Sequence, residues 1–134
     1  MSRKCVIVVD ESLPVGLKAN IAAVLCLSVG ANFPDVIGPD ATDAAGNTYA
    51  GITQIPVPVL MAPTHQIADL VAAARDKELY HASFTDAALN TKKYDDYTAE
   101  LAAKGSDEVM HHGVVLVASD KQVKKLTSGI PLLK

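Results

Sequence analysis

Two sets of residues in this chain combine the side chains that acid–base or ligand chemistry needs. Asp10 and Glu11 close an apolar run, Lys18 and Asn20 follow shortly after, and Asp86, Asn90 and Thr91 stand together well downstream. A carboxylate near a cation and an amide is the composition of a hydrolytic or ligand-binding site. In it Asp86 would orient a water as general base, while Asn20 and the amino end of a helix would stabilise developing negative charge. A plainer explanation covers the same residues. Asp86 suits a helix cap and Asn20 an early helical turn, and capping alone selects both residue types.

The four histidines, His65, His81, His111 and His112, invite a metal site. No His-x-x-x-His spacing is present, and adjacent histidines on a strand point to opposite faces, so His111 and His112 cannot share an ion without a bend. Either one titrates near neutrality, and His112 is a candidate to face the cleft as an acid or base. Asp40, Asp43 and Asn47 around Gly46 carry oxygen donors but match no calcium loop, and read as turn residues. There is no glycine-rich dinucleotide fingerprint, no phosphate-loop lysine and no Gly-x-Ser-x-Gly elbow. Neither a metal nor a cofactor is expected.

These residues need elements to hold them, and the first is the plainest. The run Val6-Ile7-Val8-Val9 is a buried strand, which passes through Asp10-Glu11-Ser12 into a helix from about Gly16 to Gly30. Apolar residues almost surround that helix, so it should pack on more than one side. Residues 32 to 54 form an ordered excursion with a hairpin turn at Gly46-Asn47. The run Gln54 to Leu60 contains two prolines and should lie at a sheet edge or be only partly paired. Thr64 offers a cap for a helix ending near Asp76-Lys77, Leu79 to Phe84 is a short strand, and Asp86 to Leu89 and Tyr94 to Ala103 are helical. Gly113 to Ala118 is the second central strand, Ser119 or Asp120 caps a last helix through Leu126, and Ile130 to Leu133 allows a final short strand. The result is a single α/β domain over residues 1 to 134, a two- or three-layer sandwich on a mixed sheet of about four strands. In such sheets ligands bind beyond the carboxyl ends of strands, where Asp10, Glu11, Asp86, Asn90, Thr91 and His112 would converge.

A chain of 134 residues at 49% hydrophobic can build a core without disulfides or metal. Its formal net charge of -3 argues against a nucleic-acid binder held by phosphate neutralisation. Lys121, Lys124, Lys125 and Lys134 read as a solvated face. Cys5 and Cys26 lie in apolar elements and read as small buried hydrophobes. The opening apolar run is cut at Asp10-Glu11, too short for a signal peptide or membrane span, and a soluble, cytoplasmic protein is expected.

In order and spacing, several segments resemble peptidyl-tRNA hydrolase type II. They are the opening strand, Gly16 to Ala23 with Ile21-Ala22-Ala23, Thr85-Asp86-Ala87, Val114 to Ala118, and the ending Val123 to Leu133. The likeness covers most of the chain except residues 32 to 54, and it looks like an uncharacterised branch of that superfamily, a domain of unknown function. The resemblance implies an active centre built from Gly-Lys-Ile-Ala-Ala-Gln, a histidine three residues later, and Asp-Ala-Gly-x-Thr. In this chain Asn20 stands at the lysine position, Val24 at the glutamine and Leu27 at the histidine. Asp86 matches, Ala88 and Asn90 replace the glycine and threonine, and Thr91 lies one residue beyond. Lys18 cannot simply stand in for the lost cation, because two residues turn a helix by about 200°.

Two functions follow from different classes. One is a binding domain whose cleft takes an unidentified small molecule or partner, with the hydrolase activity lost or altered. The other is a variant hydrolase of peptidyl-tRNA or another acyl ester, with Asp86, Asn20 and Lys18 as its catalytic set. Removing several members of a cooperating centre usually removes most of the rate, which favours the first. tRNA is not favoured as a partner by the charge balance, and the resemblance implies a homodimer.

Overall fold

Unbroken runs of β-branched residues make β1 (Arg3–Asp10) and β6 (His111–Ser119) the inner strands of a four-stranded sheet of order β4-β1-β6-β5. In the computed structural model, which describes residues 3–134, β1 pairs antiparallel with β6 and parallel with β4 (Val59–Ala62), while β5 (Tyr80–Thr85) pairs antiparallel with β6. The sheet is therefore mixed, and β1, β4 and β5 deliver their carboxyl ends to the same side.

Because side chains alternate along a strand, each inner strand feeds two cores. Cys5, Ile7, Val9, Val115 and Val117 pack against Ile21, Leu25 and Val29 of α1 (Val15–Asn32). Val6, Val8, Val114 and Leu116 pack against Ile67, Leu70, Val71 and Ala74 of α2 (Thr64–Asp76), with Val123 of α5 (Asp120–Thr127) joining them. Helices on both faces make three layers. α3 (Asp86–Asn90) and α4 (Tyr94–Ala102) follow β5, the edge strand away from β4.

Several expectations need correction. α1 runs through Gly30 to Asn32, and its C-cap is Phe33. It packs on one side only: Ile21, Leu25 and Val29 are buried at i, i+4 and i+8, while Leu27 is 76% exposed. Among the described residues α1 is the helix long and apolar enough to cross a membrane by length and composition, at mean hydropathy 1.4. α2 is capped by Pro63, so Thr64 is its first residue, and α3 is capped by the Thr85 hydroxyl, so Asp86 is not the cap. The C-terminal segment adds a single bridge, Leu132 to Leu60, not a strand.

Other expectations hold. β4 is an edge strand, and Pro56 and Pro58 precede its paired residues. Gly46 takes φ +88° in the turn between β2 (Ala41–Thr42) and β3 (Thr48–Tyr49). There Asp43 accepts the Ala45 and Asn47 amides and the Tyr49 hydroxyl, the Tyr49 bond above all lowering its pKa to about 2. Ser119 caps α5 with Gln122 answering it. Burial pushes the Cys5 thiol up to about 11, so it is inert at neutral pH.

The close seat of α1 depends on Gly113, where an added Cβ would stand 2.5 Å from Ile21 Cγ2. Gly113→Ala should cost about 1–3 kcal/mol in urea unfolding, whereas Gly16→Ala, at a site with open space, should stabilise by about 0.5–1 kcal/mol. Equal stabilities of the two variants would contradict this account of the α1 seat.

Candidate functional site

β1 ends at Asp10 and β6 begins at His111, and the pairing of Val9 with Gly113 brings Asp10 alongside His112. Asp10 is 2% exposed, and its Oδ2 lies 2.9 Å from His112 Nδ1. Its Oδ1 accepts from the Ser12 amide at 2.9 Å and the Ser12 hydroxyl at 2.7 Å. Burial raises the Asp10 pKa, but the bonds from the Ser12 amide, His112 and the Ser12 hydroxyl outweigh it and hold the carboxyl below its ordinary range. An ionised Asp10 can only accept, so His112 carries its proton on Nδ1. Among the described residues Nε2 has no hydrogen-bond partner. A carboxylate-oriented imidazole with its far nitrogen open is an arrangement able to take or give a proton.

His111 and His112 do not alternate. The register of β5 against β6 shifts between Phe84 and Thr85, so that Thr85 pairs with His111. This irregularity supplies the bend the strand pattern excluded. His112 meets Asp10 on the α2 side, and His111 Nδ1 meets Ser83 Oγ beside Val71 and Arg75 of α2. Ser83 also donates to the Gly113 carbonyl at 3.3 Å, so His111 is the donor in the first bond and its Nε2 is the free nitrogen. Burial first, and then the Arg75 charge, lower the His111 pKa. No group of three or more His, Cys, Asp or Glu able to hold a metal occurs among the described residues.

The other candidates are placed as follows. Asp86 is ion-paired with Lys104 and accepts the Met110 amide at 3.2 Å. Burial raises its pKa, but Lys104 and the Met110 amide outweigh that and keep it low. Asn20 lies in the second turn of α1, exposed, and no hydrogen bond joins it to Asp86; Lys18 makes no ion pair among the described residues. Glu11 and Asn90 are exposed. Thr91 donates to the Ala87 carbonyl at 2.7 Å and borders a cavity of about 480 Å³ between α1, β5 and the α3–α4 unit. Asp10 and His112 are thus joined directly, while Asn20 and Asp86 are not. Sequence reasoning missed Lys104, Arg75 and Ser83. The partners of Asp86 and His111 lie 18 and 28 residues away in the chain, and only the tertiary fold brings them together.

The sequence profile described as "Protein of unknown function (DUF2000)" matches residues 3–134. The chain belongs to the DUF2000 family. A solved structure of similar fold is that of a protein of unknown function, Atu0240, from Agrobacterium tumefaciens strain C58. It superposes at a TM-score of 0.92 with 21% identity, covering 100% of this chain and 99% of the other. That likeness establishes the α/β fold. No curated protein matches the chain.

In this DUF2000 domain the Asp10–His112 contact should be measurable as pH-dependent stability. The folded pKa of Asp10 is lowered, so its contribution is complete above the unfolded carboxylate pKa of about 4 and is lost as pH falls through the folded value. Asp10→Asn should cost about 1–3 kcal/mol at neutral pH. The gap to wild type should then close on acidification in urea titrations. A gap that stays constant down to acid pH would remove the linkage.

Proposed function

We propose that this domain binds a small, partly aromatic acid in the cavity between α1, β5 and the α3–α4 unit. The single observation that carries this reading is the make-up of the cavity wall. Val24, Leu25 and Phe84 provide an apolar floor, Tyr94 and Tyr97 an aromatic side with their rings edge to face, and Lys92 and Lys93 two exposed cations. Its volume of about 480 Å³ lies in the range of small-molecule sites, which combine apolar walls with a few polar groups. The cavity lies beside α3 and one helical turn beyond Asn20, close to the cleft expected from the peptidyl-tRNA hydrolase type II resemblance. It meets the ligand with aromatic rings in place of that family's lysine and glutamine. Such a ligand loses apolar surface to the floor and keeps its carboxylate or sulfonate near the ammonium groups.

The reading placed second is an acyl-ester hydrolase, supported by the Asp10–His112 pair with its open Nε2. On this reading His112, not Asp86, is the general base. The Lys104 partner holds the Asp86 carboxyl low, away from the neutral range where a base works best.

Two measurements separate these. Titration with anilinonaphthalene sulfonate should show saturable binding that weakens about tenfold in Tyr94→Ser and in a Lys92→Glu/Lys93→Glu double variant. Leu27→Ser, on the exposed face of α1, should leave it unchanged. Loss in Leu27→Ser with retention in Tyr94→Ser would place the dye on α1 and end the proposal. For the second reading, N-acylated aminoacyl-tRNA should be cleaved under enzyme excess and the rate should fall about a hundredfold or more in His112→Gln. Absence of cleavage by the native chain discards it.

A further inference from the structure

On the opposite face of β5 lies a second cavity of about 440 Å³, bounded by α2, β5, β6 and α4. Its polar wall is cationic. Arg75 reaches it from α2, His81 from β5, His111 from β6 and Lys104 from beyond α4. The charge that is free belongs to Arg75. Lys104 is already paired with Asp86 and lies 3.9 Å from Glu100, whereas Arg75 has no carboxylate partner among the described residues.

The hydroxyls are arranged to match. Thr85 Oγ1 accepts the Ala88 amide at 3.4 Å, which leaves its proton available. Ser83 is fully used, accepting from His111 Nδ1 and donating to Gly113, and so fixes the ring with Nε2 as the nitrogen left for the cavity. His81 is held in the same sense, its Nδ1 3.0 Å from the Leu79 carbonyl. Both imidazoles therefore offer Nε2, a lone pair when neutral and a donor when protonated.

We propose that this cavity is a binding site for a small organic molecule carrying a sulfate- or phosphate-like oxyanion, seated on Arg75 and the Nε2 atoms of His81 and His111, with Thr85 donating. The guanidinium supplies a planar fork of donors suited to such an oxyanion. Val71, Leu101 and Val109 line the remaining wall. The space exceeds what a bare ion fills and lies in the range for small-molecule ligands, so an organic ester should be preferred to the inorganic ion. Binding must also take up a proton. Burial and the neighbouring Arg75, His81 and His112 favour neutral His111, opposed by Asp86. An oxyanion beside Nε2 reverses that balance. Lys104, paired with Asp86 and 3.9 Å from Glu100, is the other charged group lining the site.

The site lies across β5 from the cavity under Lys92 and Lys93, which takes aromatic acids on the reading above, so the titrations are made in the Lys92→Glu/Lys93→Glu background, where binding there is weakened. Inorganic sulfate and phenyl sulfate are suitable probes because neither changes charge across the histidine range. Calorimetric titration should give about tenfold tighter binding of phenyl sulfate than of sulfate, and about tenfold weakening in Arg75→Gln. Affinity should rise between about pH 8 and about pH 6, His111→Gln should lessen that rise, and the His81→Gln/His111→Gln double variant should flatten it. Arg75 is exposed and Arg75→Gln leaves no buried group unpaired, so a folding defect will not mimic the loss. Binding indifferent to Arg75→Gln, equal affinity for ester and ion, or a pH-independent affinity would each overturn the assignment.

Discussion

Val9 of β1 stands opposite Gly113 of β6, and that register sets both the packing and the chemistry of this molecule. The two strands are buried on both faces, so a slip of one residue would turn every apolar side chain to the wrong core. Ile7 with Val115 belongs to the α1 side, and Val8 with Val114 to the α2 side. Carried to its end, the same register sets a carboxylate against an imidazole at the place where β1 stops and β6 starts. Asp10 and His112 thereby occupy a position that apolar pairs fill elsewhere along the ladder. Their burial is tolerable because each finds the other, and because Ser12 satisfies the second carboxylate oxygen with two donors.

The same strand end shows how a local irregularity changes what a sequence can do. A regular strand would send His111 and His112 to opposite faces, one towards α1 and one towards α2. The register shift against β5 places both on the α2 side, where one ring meets Asp10 and the other meets Ser83. Each imidazole is then held by Nδ1 and leaves Nε2 free, so a structural contact on one nitrogen defines the chemical character of the other.

Much of this was legible in the sequence, and the limits are physical. The inner strands declared themselves through unbroken valine and isoleucine runs, β4 through its prolines, the hairpin through Gly46-Asn47 and α5 through Ser119. These are local signals, each decided within a few residues. α1 misled, since an all-round apolar composition predicts all-round burial, yet only the Ile21, Leu25, Val29 stripe meets the sheet. The site was legible in part. Asp10, His112 and Asp86 drew attention by type and position, but the partner of each is set by tertiary contact. The ion pair of Asp86 with Lys104 spans α3 and α4, and the Asp10–His112 contact closes almost the whole chain. No periodicity reports such pairings. The bulge was invisible for a related reason, because it is a property of two strands together.

A scaffold does not dictate a function, and the side chains it gathers carry more information than the topology. Along the solvent-facing part of α1, Asn20 is followed by the exposed apolar Val24 and Leu27. The titratable groups have gathered instead on the α2 side of β5, around Arg75, His81, His111 and the Lys104–Asp86 pair. β5 divides two environments. On its α1 side Phe84 and Ala82 face an aromatic and aliphatic hollow, and on its α2 side His81, Ser83 and Thr85 face donors and charge. Alternation along one edge strand is enough to separate them, since successive residues point to opposite faces. Tyr97 of α4 lines both hollows, so a ligand on either side would press on the same ring. Any coupling between the two sides would pass through that helix, because the sheet itself is fixed by the inner strands.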